Sequence, residues 1–306
     1  MDLAAVLTGQ DGLITKQQAL AAGMSLGAIR HATRPGGPWE RLAPGLYAAF
    51  TGQLSTRQRL RAAVLQAGPD AVLTGSDACR AHGLRYVPDA PLPMVLIPHG
   101  RRAPVGGVAV VRRAVDVPRP RVVAGLPVAP VDRAVMDATR WSASSPQVRP
   151  SLQDTRALVC ESVQRRLTTP DRLAQALLRM PRNGTRFIRT AVDDVAAGCW
   201  SAPECELRDV VRSSSVLPEP HWNTPLPDLP DVTPDGWWDE ARLALEVDSE
   251  EFHDYGLGPE QTERRQARMV AAGWTVMSIS PRRIRRAASL LLVELESSYR
   301  LHLRRR

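Results

Sequence analysis

Cysteine is scarce in this chain of 306 residues, and its placement excludes the common cysteine-based sites. None of the four cysteines belongs to a CxxC pair, and no pair of histidines lies near them. This pattern is typical of reduced cytosolic thiols. It argues against both a disulfide framework and a zinc site.

Long apolar runs are also missing from the sequence. No run of eighteen apolar residues occurs, so we expect neither a membrane-spanning helix nor a membrane partner. The segment from Met1 to Leu7 has no positive charge and no long apolar core, which argues against a secretory signal. The sequence therefore predicts a cytoplasmic protein.

Lysine is nearly absent, since Lys16 is the only one and arginine supplies the rest of the positive charge. The formal net charge is +8 and the pI is about 10.1, which favours a polyanionic partner such as nucleic acid. A GC-rich genome would also produce arginine in place of lysine, together with abundant Ala, Val, Gly and Pro. Where the arginines lie is therefore more informative than their number.

Residues 1–50 show the order of elements expected of a winged helix-turn-helix. Thr15 and Gln18 have the spacing of a capping box, which begins a helix that ends at a glycine turn. Ser25 is predicted to cap a second helix, from Leu26 to about Thr33, where a Pro-Gly-Gly-Pro segment prevents its continuation. Residues 39–47 then form a short hairpin, the wing.

The second of these helices is the candidate DNA reader. In a winged helix-turn-helix it would present polar and basic side chains to DNA, while Leu26 and Ile29 face the core. The alternative is a small helical cap that binds no ligand. The candidate DNA-binding residues of this segment are Ser25, Arg30, His31 and Arg34.

The centre of the chain is less informative about function. Residues 51–141 are predicted to form a small mixed domain, because short apolar runs such as Met94–Ile97 and Val108–Val111 are bounded by Pro and Gly. Residues 142–199 are predicted to be a linker and a helical bridge. The arginines of this bridge could line a phosphate-facing surface, or they could form an ordinary solvated face.

Residues 200–306 carry the most specific chemistry. Residues 242–248 have the alternation of a strand, which puts Glu246 and Asp248 on one face. Two carboxylates on a buried face are costly, but they become favourable when they converge on a divalent cation with a third acid such as Asp235. Mg²⁺ prefers such oxygen ligands, and it would polarise a scissile phosphate and lower the pKa of the attacking water.

Arginines leave a second interpretation of this acidic cluster open. A predicted helix from Pro259 to Gly273 carries Arg264, Arg265 and Arg268, which could bind DNA phosphates. Alternatively, arginines such as Arg242, Arg264 or Arg268 form salt bridges with the acids. The last predicted element is an Arg-rich terminal helix from about Arg282 to Leu303. The order of elements, with helix, two strands, helix, strand and helix around one acidic cluster, favours the metal site.

Pro234-Asp235 followed by Glu246-Val247-Asp248 resembles the PD-(D/E)XK nuclease signature. The wider pattern, from Ser201-Ala202-Pro203-Glu204 to Ala272-Gly273-Trp274-Thr275-Val276, is similar to the very-short-patch repair endonuclease branch. The resemblance implies a restriction-endonuclease-like αβββαβ-type domain in which Asp235 and Glu246 hold Mg²⁺ or Mn²⁺. It implies that the catalytic residues are Glu204, Asp235, Glu246, Asp248 and His253.

The chain departs from this signature at two positions. Asp248 stands where the triplet usually ends in lysine, and Ser249 stands where a glycine usually follows. Residues 200–306 contain no lysine at all. Charge stabilisation during catalysis would therefore have to come from an arginine or from a second metal ion.

The front of the chain resembles the AbiEi family of antitoxin-like regulators in type IV toxin–antitoxin systems. This resemblance implies DNA binding by the winged helix, a nucleoid-associated location, and a cognate toxin or defence partner, and it leaves a homodimer open. Together, front and back resemble an actinobacterial fusion of the two families. The matching stretches are Gly12-Leu13-Ile14-Thr15, Gly45-Leu46-Tyr47, Ala81-His82-Gly83-Leu84 and Asp132-Arg133-Ala134-Val135-Met136-Asp137.

The sequence thus predicts an α/β protein of α+β organisation with four parts. We expect a winged helix-turn-helix at 1–50, a mixed α/β domain at 51–141, a linker and helical bridge at 142–199, and a nuclease-like domain at 200–306. Three functions follow. They are a metal-dependent DNA endonuclease, a transcriptional regulator or antitoxin-like DNA binder with an inactive nuclease fold, and an RNA-directed nuclease.

Overall fold

The computed structural model describes residues 2–104, 106–140, 150–248 and 259–304. Helices and three separate sheets alternate along these ranges, which confirms the mixed α/β class. The chain divides into two compact units, residues 1–189 and residues 190–306. The finer four-part division stays a prediction. Ser249, His253, residue 141 of the predicted middle domain and residues 142–149 of the predicted linker lie outside the described residues.

The first unit begins with short helices around a three-stranded antiparallel sheet of order β1-β3-β2. One small core joins these elements, because Ile14, Ala19, Ile29 and Tyr47 are buried together. The elements are α1 (Leu3–Gly9), β1 (Leu13–Thr15), α2 (Lys16–Ala21), α3 (Leu26–Ala32), β2 (Glu40–Ala43) and β3 (Leu46–Ala48).

Local sequence signals explain where these helices begin. The Thr15 hydroxyl accepts a hydrogen bond from the Gln18 backbone N–H, and the Gln18 side chain accepts one from the Thr15 N–H, so the predicted capping box is confirmed. Gly23 closes the turn after α2 with φ of +88°, a conformation that favours glycine. The Ser25 hydroxyl accepts from the Ala28 N–H and begins α3, also as predicted.

The rest of the first unit is a five-stranded mixed sheet of order β6-β5-β4-β8-β7 with helices packed on it. β4 and β5 are antiparallel, whereas β5 pairs with β6 in parallel. The elements are α4 (Thr56–Ala67), β4 (Val72–Thr74), α5 (Gly75–Ala81), β5 (Met94–Pro98), β6 (Val110–Ala114), β7 (Arg121–Val123), β8 (Leu126–Val128), α6 (Val131–Thr139), α7 (Leu152–Gln164) and α8 (Pro170–Leu178).

The second unit is built on a four-stranded sheet of order β12-β11-β10-β9. β11 is antiparallel to β10 and parallel to β12. The helix α9 (Arg186–Ala196) crosses the division between the units. The remaining elements are α10 (Ala202–Arg212), β9 (His221–Trp222), β10 (Gly236–Trp238), β11 (Leu243–Val247), α11 (Pro259–Ala271), β12 (Thr275–Ile279), α12 (Pro281–Arg286) and α13 (Ala288–Leu303).

Two apolar cores lie on opposite faces of this sheet. Trp238, Leu243 and Leu245 pack with residues of α10, α12 and α13, whereas Trp237 and Ala244 pack with residues around α11. Neighbouring residues of a strand point to opposite faces, so the two tryptophans of β10 separate. The predicted alternation of β11 is confirmed, and it places Glu246 on the α11 side.

The C-terminal helix differs from its prediction. We expected one helix from about Arg282 to Leu303, but the structure has two, α12 and α13, divided at Ala287. Ala287 has φ of −138° and ψ of 36°, which is not helical. The break lets Ile284 and Leu291 enter the same core from two helices.

Candidate metal centre

The register of β10 and β11 brings two of the predicted metal ligands together. Gly236 pairs with Leu245, so Asp235 lies across from Glu246 on the neighbouring antiparallel strand. One oxygen of Asp235, Oδ2, accepts a hydrogen bond from the Val247 backbone N–H at 2.6 Å. This bond ties the residue before β10 to the end of β11.

Glu246 is the most enclosed acid of this group, with 3% of its surface exposed. Its Oε2 accepts a hydrogen bond from the Arg265 guanidinium at 2.5 Å. Its Oε1 is buried and has no hydrogen-bond partner among the described residues, and the same holds for Nε of Arg265. A buried acceptor without a partner costs about 1–3 kcal/mol, so this oxygen is the unexplained polar atom of the site.

Glu204 is the third acid of this cluster, and α10 positions it. Ser201 caps this helix, with Pro203 in its first turn. Glu204 Oε2 accepts hydrogen bonds from the Trp200 backbone N–H at 2.9 Å and from the Asn223 side chain at 3.0 Å. The carboxylate therefore holds the turn before α10 against the loop after β9.

The protein environment makes ionisation of these acids unfavourable. Burial raises the pKa of Glu246 to about 7; Arg265 opposes this shift, and the charges of Asp248 and Glu204 add to it. Burial also raises the pKa of Asp235 well above its usual value, and the neighbouring Glu204 and Glu246 charges raise it further. The pKa of Glu204 is raised by burial, against the hydrogen bonds from Trp200, Ser201 and Asn223.

This arrangement could hold a hard divalent cation at Asp235 and Glu246. Each carboxylate uses one oxygen in a bond to the protein, and Oε1 of Glu246 has no hydrogen-bond partner among the described residues. Mg²⁺ is commonly held by one or two carboxylates together with waters, so the donor set fits. The cation would also relieve the repulsion among these acids.

Of the other two predicted catalytic residues, the structure describes only Asp248. Asp248 is exposed at the end of β11, and its charge acts on Glu246 only through space. The prediction for His253 falls on a residue outside the described ranges.

The three arginines of α11 each pair with a carboxylate. Arg264 lies 2.7 Å from Glu260, and Arg268 makes two hydrogen bonds with Asp231, at 2.7 and 2.9 Å. Arg265 pairs with Glu246, so the salt-bridge interpretation holds for this acid, although with an arginine that we had assigned to DNA. Contacts of these three arginines with DNA remain a prediction.

Sequence reasoning missed the special position of Arg265 among these arginines. Met269, four residues later, is fully buried in the core against the sheet. Residues four apart lie on the same face of a helix, so Arg265 points towards the sheet as well. Arg264 is 75% exposed at its side chain. The apolar periodicity of α11 would have distinguished the two.

A second group of metal-ligand type lies nearby in the chain. Among the described residues, Asp194, Cys199 and Cys205 have ligand atoms within 4.8 Å of one another, and all three are buried. Hydrogen bonding to Cys205 and burial raise the pKa of the Cys199 thiol. Arg208 donates a hydrogen bond to Cys199 Sγ at 3.2 Å, which places a cation where a metal would have to approach.

In the first unit, the structure exposes all four predicted DNA-binding residues on or next to α3. Ser25 also serves as the helix cap, and the side chains of His31 and Arg34 contact each other at 2.7 Å. Ile29 is buried as predicted, but the prediction for Leu26 is wrong, because this side chain is 48% exposed. Met24 packs against the core in its place.

Comparisons with known proteins assign no family to this chain. No family model matches it, and no curated protein matches it. The solved structure of the Rv2827c protein from Mycobacterium tuberculosis is similar with a TM-score of 0.43 and 17% identity, over 72% of this chain and 86% of that one. A superposition this loose carries no argument about function. Among the described helices, none has the length and apolar character needed to cross a membrane.

Proposed function

We propose that this chain is a DNA-binding protein whose C-terminal unit hydrolyses phosphodiester bonds of DNA with a divalent cation, Mg²⁺ or Mn²⁺. One observation carries the proposal. Glu246 is buried, lies across from Asp235, and keeps one carboxylate oxygen without a protein partner. A structural salt bridge alone would not require that oxygen to remain unsatisfied.

In this function Asp235 and Glu246 would hold the cation, and Glu204 would support them from α10. The bound cation would supply charge stabilisation of the phosphate and a water of lowered pKa. Arg265 holds Glu246 in place and brings positive charge to the cluster. It is the arginine that could take the role of the missing lysine.

The first unit would bring this chemistry to DNA. The order α2, glycine turn, α3 and the β2–β3 hairpin is that of a winged helix-turn-helix, which supports reading of DNA by α3. Arg30, His31 and Arg34 are exposed there, and the net charge of +8 favours a polyanion.

An alternative function also has an observation in its favour. Arg265 already neutralises Glu246 without any metal, as expected of an inactive remnant of a nuclease site. The chain would then be a transcriptional regulator or an antitoxin-like DNA binder with a cognate toxin. Both functions require DNA binding, and only the first requires cleavage.

Nicking of supercoiled plasmid in Mg²⁺ or Mn²⁺ tests the proposal. The wild type is compared with the double variant Asp235→Asn/Glu246→Gln and with a matched control, Asp231→Asn/Glu260→Gln, which removes two exposed acids of the same unit. We expect metal-dependent nicking by wild type and control, and none by the site variant. Absence of nicking with salt-sensitive DNA binding retained in all three would establish the regulator instead.

A further inference from the structure

Trp200 stands apart from the other tryptophans of the second unit. It is 59% exposed, whereas Trp237, Trp238 and Trp274 are buried and Trp222 is partly buried. Within the described part of residues 190–269, it is the only large apolar side chain that is exposed. The indole makes no hydrogen bond or ring contact with any described residue. The hydrogen bond of Trp200 to Glu204 comes from its backbone N–H.

The backbone of Trp200 is held against the acidic cluster. Its N–H donates to Glu204 Oε2 at 2.9 Å. The Asn223 side chain bridges the same oxygen and the carbonyl of Gly198, at 3.0 and 2.7 Å. The turn that carries the indole is therefore tied to a buried carboxylate on one side and to the β9 loop on the other.

A single aromatic ring at a fixed position fits a small flat partner better than a protein surface. Protein interfaces need a contiguous patch, and between residues 190 and 269 the described chain supplies no second exposed large apolar side chain to form one with Trp200. A nucleobase needs only one ring face, and stacking on tryptophan contributes roughly 1–3 kcal/mol per base.

We infer that Trp200 stacks on an unpaired or unstacked nucleobase of DNA bound at the acidic cluster. This inference rests on the proposed function and deepens it, because it assigns a base-binding position beside the site that would bind the phosphate. It also specifies the substrate: DNA in which a base can leave the helical stack near the bond to be cut.

Tryptophan fluorescence and binding in EDTA test this role without cleavage. The probes are a duplex with a central three-base bubble and the same duplex fully paired. We expect the bubble to quench the wild-type emission and to bind more tightly. Trp200→Ala should weaken bubble binding roughly tenfold. Trp200→Phe, which keeps an aromatic face but not the exposed fluorophore, should retain affinity and lose the quenching.

Leu290→Ala serves as the matched control, because Leu290 is equally exposed on α13 of the same unit. Its bubble affinity should equal that of the wild type. Equal bubble affinity of Trp200→Ala and wild type would overturn the stacking role, even if plasmid nicking succeeds. Loss of bubble affinity in Trp200→Ala without any plasmid nicking by the wild type would support the base-binding position and refute the nuclease. A change of oligomeric state alone in Trp200→Ala would also overturn it.

Discussion

Ionisation of the buried Glu246 lowers the stability of the folded protein. Its carboxylate is almost fully enclosed and shares its surroundings with Asp235 and Glu204, so ionisation is opposed by burial and by like charge. Arg265 offsets part of this cost from one side only. Such unfavourable arrangements concentrate at functional sites, where a ligand can compensate for them.

The first residue-scale prediction concerns pH. The pKa of Glu246 is raised from about 4.5 in the unfolded chain to about 7 in the folded one, so the folded state holds the extra proton between these values. The free energy of unfolding in EDTA should therefore fall as pH rises from 4.5 to 7. Asp235 and Glu204 are shifted in the same direction and add to this slope.

Urea denaturation across that pH window provides the measurement. Glu246→Gln cannot ionise, so its pH slope should be shallower than that of the wild type. Glu260→Gln removes an exposed acid and should keep the wild-type slope. Equal slopes in all three proteins would show that Glu246 ionises without penalty.

The second residue-scale prediction compares two neighbouring arginines. Arg265→Ala leaves the buried Glu246 without its cation and should lower the free energy of unfolding by about 3 kcal/mol at pH 8. The loss should shrink at pH 5, where Glu246 is protonated. Arg264→Ala breaks an exposed pair and should cost about 0.5 kcal/mol or less. Equal costs, measured by urea denaturation, would contradict the burial of the Glu246–Arg265 pair.

At the scale of elements, capping residues determine where the helices begin, and packing against the core determines which face of each helix is buried. The capping box at Thr15 and the cap at Ser25 depend on neighbours within three residues, so the sequence predicts them well. The exposure of Leu26 was missed, because the orientation of α3 on its neighbours is not encoded locally: this helix buries Ile29 and Ala32, and Met24 of the preceding turn packs against the core.

A prediction at this scale tests α3 as the reading element. Arg30→Ala/Arg34→Ala removes two exposed cations from its surface and should weaken binding to duplex DNA. The slope of log affinity against log salt concentration should also become shallower by about 2. Arg119→Ala/Arg121→Ala is the control, since it removes two exposed arginines next to and in β7. If both pairs lower the slope equally, binding is a matter of overall charge rather than of α3.

At the scale of the whole molecule, the chain divides into two compact units, and each contains apolar clusters of its own. Five of the seven tryptophans lie in residues 190–306, whereas helices are present in both units. Tryptophan emission therefore reports mainly on the second unit, and far-ultraviolet circular dichroism reports on both. Proteins with more than one core commonly depart from two-state unfolding.

We expect the two signals to give different midpoints in a urea titration without metal. Addition of Mn²⁺ should raise the midpoint of the emission transition, because a ligand that binds only the folded site stabilises that unit. The shift should vanish in Asp235→Asn/Glu246→Gln. A single midpoint that both signals share, with no response to Mn²⁺, would count against independent unfolding of the two units and against the metal site.

The sequence by itself determined the features that depend on near neighbours. The helix caps, the strand alternation that places Leu243 and Leu245 opposite Glu246, and the mixed α/β class all follow from residues a few positions apart. The period of two along β11 was enough to show that an acid would meet a buried face.

Tertiary structure alone decided which groups meet at that face. Arg265 reaches Glu246 from 19 positions later in the sequence. Asp235 faces Glu246 because β10 and β11 pair in the register that sets Gly236 opposite Leu245. Three arginines of α11 offered similar charge, and only the packing of that helix on the sheet selected one. Charge attracts at a distance but does not specify a partner, whereas close packing allows one arrangement.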